Sequence, residues 1–425
     1  MNLIWNIIYN YLIIPALYIA LRIAGLFNKK IRNGITGRKR VYENLILRST
    51  TLDKRKQLVW FHSSSLGEFE QAKPIIEKLR QEADVNILIT FFSPSGYENS
   101  KKYPYADLIA YIPFDTKYNA EKFLKIVRPS IAVIMRYDIW PNIIETLNKH
   151  NIPSFLVDAT LRSTSPRKYP FLKSFHKNLF EKFTRILTVS ESDAEEFISF
   201  GVSDKKVSAV GDTRFDRVYQ RSINAREKKL IRDDLIANKK VFVAGSTWEQ
   251  DEEVLLPAFL KLIKYDKNVI LIIAPHEPTI LHLEKIEHEF AGKLKTIRFS
   301  HLNNYNGERV IIVDSIGILL TLYTYAYAAY VGGGFKQNIH NVLEAAVYGI
   351  PVMFGPKIEN SQEAQKLLKL GGGILVKDKK EAYRYLRKIF SDEDFRNTAG
   401  KISYSYTREN IGATQRIIEE ILRFL

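Results

Sequence analysis

The sequence predicts an α/β protein of two doubly wound, Rossmann-like domains that face a cleft, and three observations lead to this fold class. Short apolar runs without polar alternation are separated by amphipathic segments, for example NAEKFLKIV at 119–127. Near-continuous apolar strands that alternate with helices are typical of parallel sheets covered on both faces. The alternation stops at a basic, polar stretch, residues 217–240, and then restarts. The length of 425 residues also exceeds what a single compact core normally contains.

The predicted elements divide the chain after its first 27 residues into four parts. The first domain covers residues 28–216, with predicted strands LVWFHS (58–63), NILITFF (86–92), LIAYIPF (108–114), IAVIM (131–135), SFLVDA (154–159) and RILTVS (185–190). A linker at 217–240 leads to the second domain, 241–405, with predicted strands VFVAGS (241–246), VILIIAP (269–275), VIIVDS (310–315), AAYVGG (328–333), PVMFGP (351–356) and GILVKD (373–378). Residues 406–425 predict a C-terminal helix that can pack back on the first domain. Open α/β sheets bind ligands beyond the carboxyl ends of their strands, so we expect the site there.

Residues 1–27 predict a membrane anchor. The stretch 3–20 carries no formal charge, and its extension to residue 27 approaches the roughly 20 residues that span a bilayer. Six basic residues follow: Lys29, Lys30, Arg32, Arg38, Lys39 and Arg40. By the positive-inside rule, they keep the rest of the chain in the cytoplasm. Asn6, Asn10 and Pro15 weaken a spanning helix, so a helix lying in the interface stays an alternative, as does a buried core helix.

The composition excludes several kinds of chemistry. No cysteine is present, so disulfides, thiol chemistry and cysteine-ligated zinc are excluded, and the eight histidines are scattered along the chain. The net charge of +16 favours anionic partners, which include nucleic acid, an acidic membrane surface and a negatively charged substrate. No recognisable nucleic-acid module accompanies the basic residues, so nucleic acid is not expected as a partner.

The stretch WFHSSSLGEFEQAKPII, residues 60–76, runs from a predicted strand into a predicted helix. Ser65 and Glu68 have the S-x-x-E spacing of a capping box, in which Glu68 would accept a hydrogen bond from a backbone N–H at the helix start. The position also suits a general base, because Gly67 leaves room for a ligand and a carboxylate can take the proton of a hydroxyl. The spacing by itself leaves both interpretations open.

The stretch VAGSTWEQDEE, residues 243–253, also reads as a strand, a turn and a helix. Free N–H groups at a helix start suit a phosphate, which makes Ser246 and Thr247 candidate ligands. Capping is the alternative, since Ser246 with Glu249 and Thr247 with Gln250 both have capping-box spacing. The lysine pattern of a P-loop is missing, so a nucleoside triphosphatase is not predicted.

The stretch YVGGGFKQNIHNVLEAAVYGIPVMFGP, residues 330–356, is the most informative part of the chain. A predicted strand runs into three glycines: Gly332, Gly333 and Gly334. Without side chains, their backbone amides could approach a phosphate. A helix then begins near Asn341, with Glu344 in its first turn. These two residues fit a helix cap, but a carboxylate in this place can also accept hydrogen bonds from two neighbouring ribose hydroxyls.

These motifs resemble those of the Kdo transferases, which add 3-deoxy-D-manno-octulosonic acid (Kdo) to the lipid A precursor. The motifs that carry the resemblance are HSSSLGEFEQAKPII, FFSPSGYE, YIPFDT, IMRYDIWPN, TVSESDAEEFISFG, VGDTRFDR, VAGSTWEQDEE, APHEP, VDSIGILLTLYTYAYAAYVGGGF, IHNVLEAAVYGIPVMFGP and a final GGG at 371–373. They run over nearly the whole chain in one order. The resemblance implies a membrane-anchored enzyme of the glycosyltransferase B fold.

The resemblance also implies how the donor nucleotide is held. Glu344 matches the family's helix glutamate, which faces the ribose, and Asn341 lies just before it. Ser246 and Thr247 match the turn near the phosphate of CMP, and the three glycines match the loop beside that turn. His276 falls where the family more often has arginine, and it is a further candidate donor contact.

For the acceptor side, the resemblance implies that Glu68 is the catalytic base. The segment IMRYDIWPN departs from the family's usual ETELWPN, so that Asp138 aligns with the second acid and Arg136 with the first. An arginine at that place suits a sugar carboxylate or a lipid phosphate. The segment DATLRSTSPRKY, 158–169, departs as well. The candidate contacts for the acceptor or a sugar anion are Ser65, Gly67, Arg136, Asp138 and Arg162.

The implied reaction is the transfer of Kdo from CMP-Kdo to the tetraacylated lipid A precursor, with inversion, at the cytoplasmic face of the inner membrane. CMP-Kdo is a substrate, and neither a cofactor nor a metal is expected. Two alternatives stay open: another enzyme of the same fold that acts on a UDP-sugar, and a non-enzymatic basic protein tethered to the membrane. A preference for CMP-Kdo over UDP-sugars would separate a Kdo transferase from the first alternative. Salt-sensitive binding without transferase activity would favour the second.

Overall fold

The computed structural model describes residues 3–425, and these residues form two compact units. The first unit contains the described residues up to Arg217 together with Ile411–Leu425, and the second contains Val218–Asn410. The second unit therefore includes almost all of the segment 217–240, which the sequence suggests as a linker. That segment is partly helical, because it contains the end of one helix and the whole of a short one.

The first unit is built on a sheet of seven parallel strands in the order β3-β2-β1-β4-β5-β6-β7. The strands are β1 (Leu58–Ser63), β2 (Asn86–Phe91), β3 (Leu108–Tyr111), β4 (Ile131–Met135), β5 (Ser154–Ala159), β6 (Arg185–Thr188) and β7 (Val207–Ala209). All six predicted runs are strands. The edge strand β7 escaped prediction because it has only three residues, two of them half-buried.

Helices cover both faces of this sheet. They are α1 (Leu3–Ile8), α2 (Ile14–Phe27), α3 (Lys29–Arg38), α4 (Val41–Ser49), α5 (Leu66–Glu82), α6 (Pro94–Ser100), α7 (Lys117–Val127), α8 (Pro141–Lys149), α9 (Pro170–Phe180), α10 (Glu191–Ser199) and α11 (Thr213–Arg226), of which α11 ends in the second unit. A π-helical turn, Tyr9–Ile13, joins α1 to α2. Successive residues of β1 pack into different cores: Trp60 into one, Val59 and Phe61 into the other. This double burial explains the continuous apolar runs.

The second unit has its own sheet of seven parallel strands in the order β10-β11-β9-β8-β12-β13-β14. The strands are β8 (Lys240–Thr247), β9 (Val269–Pro275), β10 (Thr296–Arg298), β11 (Val310–Ile312), β12 (Ala328–Val331), β13 (Val352–Phe354) and β14 (Gly373–Leu375). The helices of this unit are α12 (Asp233–Ile236), α13 (Glu249–Leu262), α14 (Ile280–Phe290), α15 (Leu319–Leu322), α16 (Leu343–Ala346), α17 (Gln362–Leu370), α18 (Lys379–Ser391) and α19 (Glu393–Glu409). The prediction of two Rossmann-like domains is confirmed.

The last helix, α20 (Ala413–Leu422), belongs to the first unit. Its isoleucines Ile417, Ile418 and Ile421 are fully buried and join the same core as Phe61 of β1. The carboxylate of Asp216 fixes the start of the helix, because it accepts hydrogen bonds from the backbone N–H groups of Gly412 and Thr414, at 2.6 and 2.7 Å.

Candidate active site

The topological switch point of the first sheet lies between β1 and β4, because the chain leaves β1 on one side and returns on the other. In open α/β sheets, ligands bind beyond the carboxyl ends of such a strand pair. Glu68 lies in the first turn of α5, which follows β1, and Asp138 lies in the loop after β4. The sheet thus brings together two carboxylates that are far apart in the sequence.

Glu68 is anchored to the loop before its own helix. Its Oε2 accepts a hydrogen bond from the backbone N–H of Ser64 at 2.6 Å. Ser65 is the N-cap residue, but its hydroxyl makes no capping bond, so the reciprocal capping box suggested by the sequence is not formed. A Cβ on Gly67 would meet nothing nearer than Ser65 Oγ, at 3.9 Å. Packing therefore does not require this glycine, and the space beside Glu68 is open to a ligand.

Asp138, which is partly buried, forms a pair with His62, a residue that the sequence analysis did not single out. His62 is fully buried in β1, and its Nε2 lies 2.7 Å from Asp138 Oδ2. The other ring nitrogen, Nδ1, lies 2.8 Å from Thr90 Oγ1 on the neighbouring strand β2. The only signal in the sequence is a polar residue inside a buried strand, and this signal does not say which loop the residue meets.

The environments of the two carboxylates push their pKa values in opposite directions. Burial raises the pKa of Glu68 above the usual carboxyl range, and the negative charge of Asp138 adds to the effect. Burial also opposes ionisation of Asp138, but hydrogen bonding to His62 and the charge of that ring outweigh it and lower the pKa of Asp138. Two carboxyl groups with separated pKa values are the usual basis for dividing acid–base roles.

Two more residues at this edge of the sheet have a left-handed backbone. These are Arg136, with φ 59°, directly after β4, and Asp158, with φ 52°, in β5. Such strain in a non-glycine residue costs roughly 1–3 kcal/mol and is concentrated at functional sites. Burial and the charge of Asp212 raise the pKa of Asp158 to about 7. The Nε of Arg136 is buried without a hydrogen-bond partner among residues 3–425, whereas Arg162 is exposed in the loop after β5.

The switch point of the second sheet lies between β8 and β12. Ser246 lies near the end of β8 with φ 53°, and Gly332 directly follows β12. A Cβ on Gly332 would overlap the carbonyl oxygen of Ser246 and lie 2.7 Å from the Cα of Thr247. This glycine is therefore required where the two strand ends approach each other.

Two amides of the glycine loop already have partners within the protein. Gly332 N–H donates to the carbonyl oxygen of Gly245, and Gly333 N–H donates to Asp251 Oδ2, both at 2.9 Å. The prediction that these amides face a phosphate does not agree with those bonds. Asp251 Oδ2 also accepts the N–H of Trp248 at 2.9 Å, so α13 is capped there and at neither of the two positions that the sequence suggests.

The side chain of Thr247 also differs from its predicted role. The residue is fully buried, and its hydroxyl donates to Glu252 Oε1 at 2.7 Å. The same carboxylate lies 2.9 Å from His282 Nε2, and this hydrogen bond raises the pKa of His282. The hydroxyl of Thr247 is thus part of an internal chain of hydrogen bonds, which leaves Ser246 as the more accessible residue of the turn.

Four side chains of the second unit form a cluster of three aromatic rings and one cation: Trp248, His276, Lys336 and His340. The His276 ring stacks on that of His340 with centroids 4.3 Å apart, and Trp248 Nε1 donates to His340 Nε2 at 3.1 Å. Lys336 Nζ lies 3.1 Å from the centroid of the Trp248 ring. Burial, with the nearby His276, lowers the pKa of His340 to about 4. Only His276 of this cluster was predicted.

Glu344 lies in the short helix α16 and forms an ion pair with Arg221, whose Nη1 is 3.3 Å from Glu344 Oε1. Arg221 comes from α11, within the same unit. Asn341 Oδ1 accepts the N–H of Leu343 at 3.1 Å, but the N-cap residue of α16 is Val342, which makes no side-chain capping bond. Within residues 3–425, no three His, Asp or Glu side chains are grouped as the ligands of a metal ion would be.

Two Rossmann-like units, each a sheet of seven parallel strands with helices packed on it, define the architecture known as the glycosyltransferase B fold. A solved structure of UDP-GlcNAc 2-epimerase from Neisseria meningitidis, bound to UDP-GlcNAc, has this fold. It matches with a TM-score of 0.61 over 87% of this chain and 100% of its own, at 16% identity, so the likeness concerns the fold alone.

Sequence comparison gives the family. Residues 39–217 match the family model described as 3-deoxy-D-manno-octulosonic-acid transferase (kdotransferase). The 3-deoxy-D-manno-octulosonic acid transferase of Aquifex aeolicus is 30% identical over 346 residues, covering 80% of this chain and 88% of that protein. The chain therefore belongs to the Kdo transferase family, and it is a glycosyltransferase of lipopolysaccharide biosynthesis.

A second relative is a larger protein. The bifunctional glycosyltransferase/methyltransferase of Fusobacterium nucleatum subsp. nucleatum is 31% identical over 368 residues, which are 84% of this chain. The chain spans only 56% of the length of that relative.

Proposed function

We propose that this enzyme transfers Kdo from CMP-Kdo to a hydroxyl group of the tetraacylated lipid A precursor, with inversion, and that Glu68 is the general base. The observation that carries the proposal is the place of Glu68 and of the His62–Asp138 pair at the switch point of the first sheet, and the opposite shifts of the two carboxyl pKa values agree with it. A base for a sugar hydroxyl works best with a pKa near the working pH, which burial of Glu68 favours.

Asp138 supports Glu68 through its charge. Held ionised by His62, Asp138 keeps a negative charge near Glu68 and so makes Glu68 a better proton acceptor. The acceptor hydroxyl attacks the anomeric carbon of Kdo as its proton passes to Glu68, and CMP leaves from the opposite face. The backbone N–H of Ser64 holds Glu68 Oε2 and so orients the carboxylate for this proton transfer.

The donor is assigned to the second unit. Trp248, His276 and His340 offer flat rings for the nucleotide, and Lys336 offers a cation for its phosphate. Glu344, which forms an ion pair with Arg221, is assigned to the ribose hydroxyls of the nucleotide. Gly332 acts indirectly, because it allows the close approach of the Ser246 carbonyl group, whereas Gly333 allows the close approach of the Asn338 carbonyl group.

Arg136 is assigned to an anionic group of a substrate, either the carboxylate of Kdo or a phosphate of the lipid. Its strained backbone and its unpartnered Nε indicate a side chain held ready for an anion that is not part of the protein. The enzyme is assigned to the cytoplasmic face of the inner membrane, where its N-terminal apolar helical segment and the basic residues after it would contact the bilayer.

The direct test is incubation with CMP-Kdo, generated in place, and the tetraacylated precursor, followed by mass spectrometry of the lipid. We expect the mass of the lipid to increase by whole Kdo units, and we expect UDP-GlcNAc offered in parallel not to be used. Glu68→Gln should lower the initial rate of the mass increase on the order of 10²–10⁴-fold, while the matched control Glu82→Gln, at the far end of α5, should retain the native rate. Transfer from UDP-GlcNAc alone, or full activity of Glu68→Gln, would contradict the proposal.

A further inference from the structure

We propose that the N-terminal helical segment, Ile4–Phe27, does not cross the membrane but lies along its surface, and that it forms one binding face for anionic phospholipid together with Tyr169 and Phe171. This inference rests on the proposed membrane location of the enzyme and adds the geometry of attachment. The segment has 24 residues and is long and apolar enough to cross a bilayer. The decisive question is therefore what its sides contact.

One side of the segment is bonded to the first unit by polar groups. Tyr9 O–H donates to Asp115 Oδ2 at 2.8 Å, and Asn142 Nδ2 donates to Asn10 Oδ1 at 2.9 Å. Asp115 is fully buried and also accepts the backbone N–H groups of Asn142 and Ile143, each at 2.9 Å. The partner of Tyr9 is thus fixed to the start of α8 and cannot move away with the helix.

Ring contacts extend this attachment in both directions. Trp5 packs against Phe171 and Phe175 of α9, with centroid distances of 4.5 and 4.9 Å, and Tyr18 packs against Phe114 at 5.4 Å. From Trp5 to Tyr18 the helix rises roughly 20 Å, at about 1.5 Å per residue. The attached length is about two thirds of the ~30 Å hydrocarbon thickness of a bilayer.

The local sequence explains why polar side chains meet the domain. Pro15 has no N–H, and the chain widens to a π-helical turn, Tyr9–Ile13, in which Ile14 N–H reaches the carbonyl oxygen of Tyr9. This turn carries both Tyr9 and Asn10, the two residues that bond the first unit. The features that weaken a spanning helix in the sequence are thus the features that attach it to the domain.

A crossing orientation conflicts with these contacts. It would place Asp115, Asn142 and the loops that carry them at the depth of the hydrocarbon, where the backbone groups of loops find no partners. A surface orientation needs no such burial, because the other side of the segment is apolar and exposed. Apart from Tyr18, whose ring packs against Phe114, the exposed apolar residues are Ile4, Ile7, Tyr11, Leu12, Ile13, Ile19, Ile23, Leu26 and Phe27.

The surroundings of this side suit an anionic surface. Tyr169 and Phe171 are 66% and 65% exposed, although Phe171 touches Trp5. Exposed basic residues follow the segment directly in the chain: Lys29, Lys30, Arg32, Lys39 and Arg40. An apolar stripe bordered by lysine and arginine is the pattern of segments that lie in the interface of anionic lipids.

This geometry also relates the membrane to the candidate base. Asn142, which holds Asn10, is four residues beyond Asp138, and Asp138 belongs to the site of Glu68. A membrane surface along the segment would therefore lie close to the place where a lipid-borne hydroxyl must arrive. A lipid acceptor could then be used without leaving the bilayer.

The absence of native cysteine permits a depth measurement on the full chain. Single substitutions Ile4→Cys, Leu12→Cys, Ile19→Cys and Leu26→Cys, at exposed positions about two turns apart, carry a fluorophore in vesicles of phosphatidylethanolamine and phosphatidylglycerol. Lipids with quenchers at different depths report the position of each label. We expect four similar, shallow depths, about 5–10 Å below the headgroups. Labels of Leu12→Cys and Ile19→Cys near the bilayer centre, with the Ile4→Cys label at the far headgroups, would overturn the proposal.

A second measurement tests the contribution of α9. Phe171→Ser should weaken binding to the same vesicles about tenfold, since a largely exposed phenyl ring would no longer enter the interface. The matched control is Ile316→Ser, which removes an exposed apolar side chain from the second unit and should leave binding unchanged. Unchanged binding of Phe171→Ser would remove α9 from the face. Kdo transfer to detergent-dispersed acceptor is measured separately, so a crossing helix in an active enzyme would refute this inference and leave the proposed function intact.

Discussion

Replacing Glu68 by glutamine separates the two roles that its position allows. Glutamine has nearly the same shape, and its carbonyl oxygen can still accept the 2.6 Å hydrogen bond from Ser64 N–H. It cannot take a proton from a hydroxyl group. If Glu68 only organised the start of α5, the substitution would leave activity close to normal, because glutamine also serves in capping positions.

The expected effects on catalysis and on stability differ in size. Loss of a general base lowers turnover on the order of 10²–10⁴-fold, which corresponds to roughly 3–5 kcal/mol of activation free energy. Exchanging a charge-assisted hydrogen bond for a neutral one changes the free energy of unfolding by only about 1 kcal/mol. The loss of unfolding free energy in the Gln variant should be smaller still, because the raised pKa of Glu68 means that the folded protein already disfavours the buried carboxylate charge.

The dependence on pH gives an independent check. The base must be ionised, so transfer by the native enzyme should fall as the pH drops through the raised pKa of Glu68. Stability follows the opposite trend: the favourable contribution of the protonated group is present below the unfolded pKa and is lost as pH rises through the folded pKa. Relative to the native enzyme, Glu68→Gln should therefore gain stability as the pH rises through the carboxyl range.

The assay combines initial rates of Kdo transfer with CMP binding and thermal unfolding of the same preparation. We expect turnover to be lost while CMP affinity and the unfolding temperature stay nearly unchanged. Near-normal transfer by the Gln variant, or a loss of activity that merely follows a loss of folded protein, would refute the assignment of Glu68.

Four further substitutions test the other assignments. Glu344→Gln should weaken CMP binding roughly 10–100-fold in a calorimetric titration, because a charge-assisted bond to ribose contributes about 1.5–3 kcal/mol. Arg221→Gln should weaken CMP binding less in the same titration. Normal CMP affinity of Glu344→Gln with reduced stability would show that Glu344 has only a structural role. Gly332→Ala should lower the urea midpoint, since its Cβ would overlap the carbonyl oxygen of Ser246 and such overpacking costs about 1–3 kcal/mol. Gly67→Ala should fold normally, because the added Cβ would lie within ordinary contact distance of Ser65 Oγ alone. The variant should raise the KM for the lipid acceptor. An unchanged KM would mean that no ligand passes beside residue 67.

Much of the fold could be predicted because its strands are buried on both faces. Runs such as IAVIM and VILIIAP have no polar side to mark a partner or an orientation, but they identify a strand of a covered parallel sheet. The strands that escaped prediction, β7 and β10, have three residues each and are only partly buried. Their pairing with the neighbouring strands β6 and β11 makes them strands, and pairing is a property of the sheet.

For the candidate site, too, one part could be predicted from the sequence and another could not. Its position could be predicted because Gly67 and Glu68 follow one strand and the three glycines follow another, and ligands bind at strand ends. What those groups bond to could not be predicted. The sequence pattern suggests that the amides of Gly332 and Gly333 are available to a ligand. In the folded unit, however, Gly245 and Asp251 accept their hydrogen bonds.

The sequence by itself determined the family, the two-domain α/β class and the strand ends at which chemistry is expected. Local apolar patterns and the order of motifs are properties of neighbouring residues, so they can be recognised without knowing which distant residues are in contact. Tertiary structure alone decided three things: the order of the strands, the pairing of His62 with Asp138, and the bond of Tyr9 to Asp115. Each of these depends on which residues meet across large separations in the chain. The pKa of a carboxylate and the side of a helix that faces water are set by such meetings, so neither can be read from neighbouring residues.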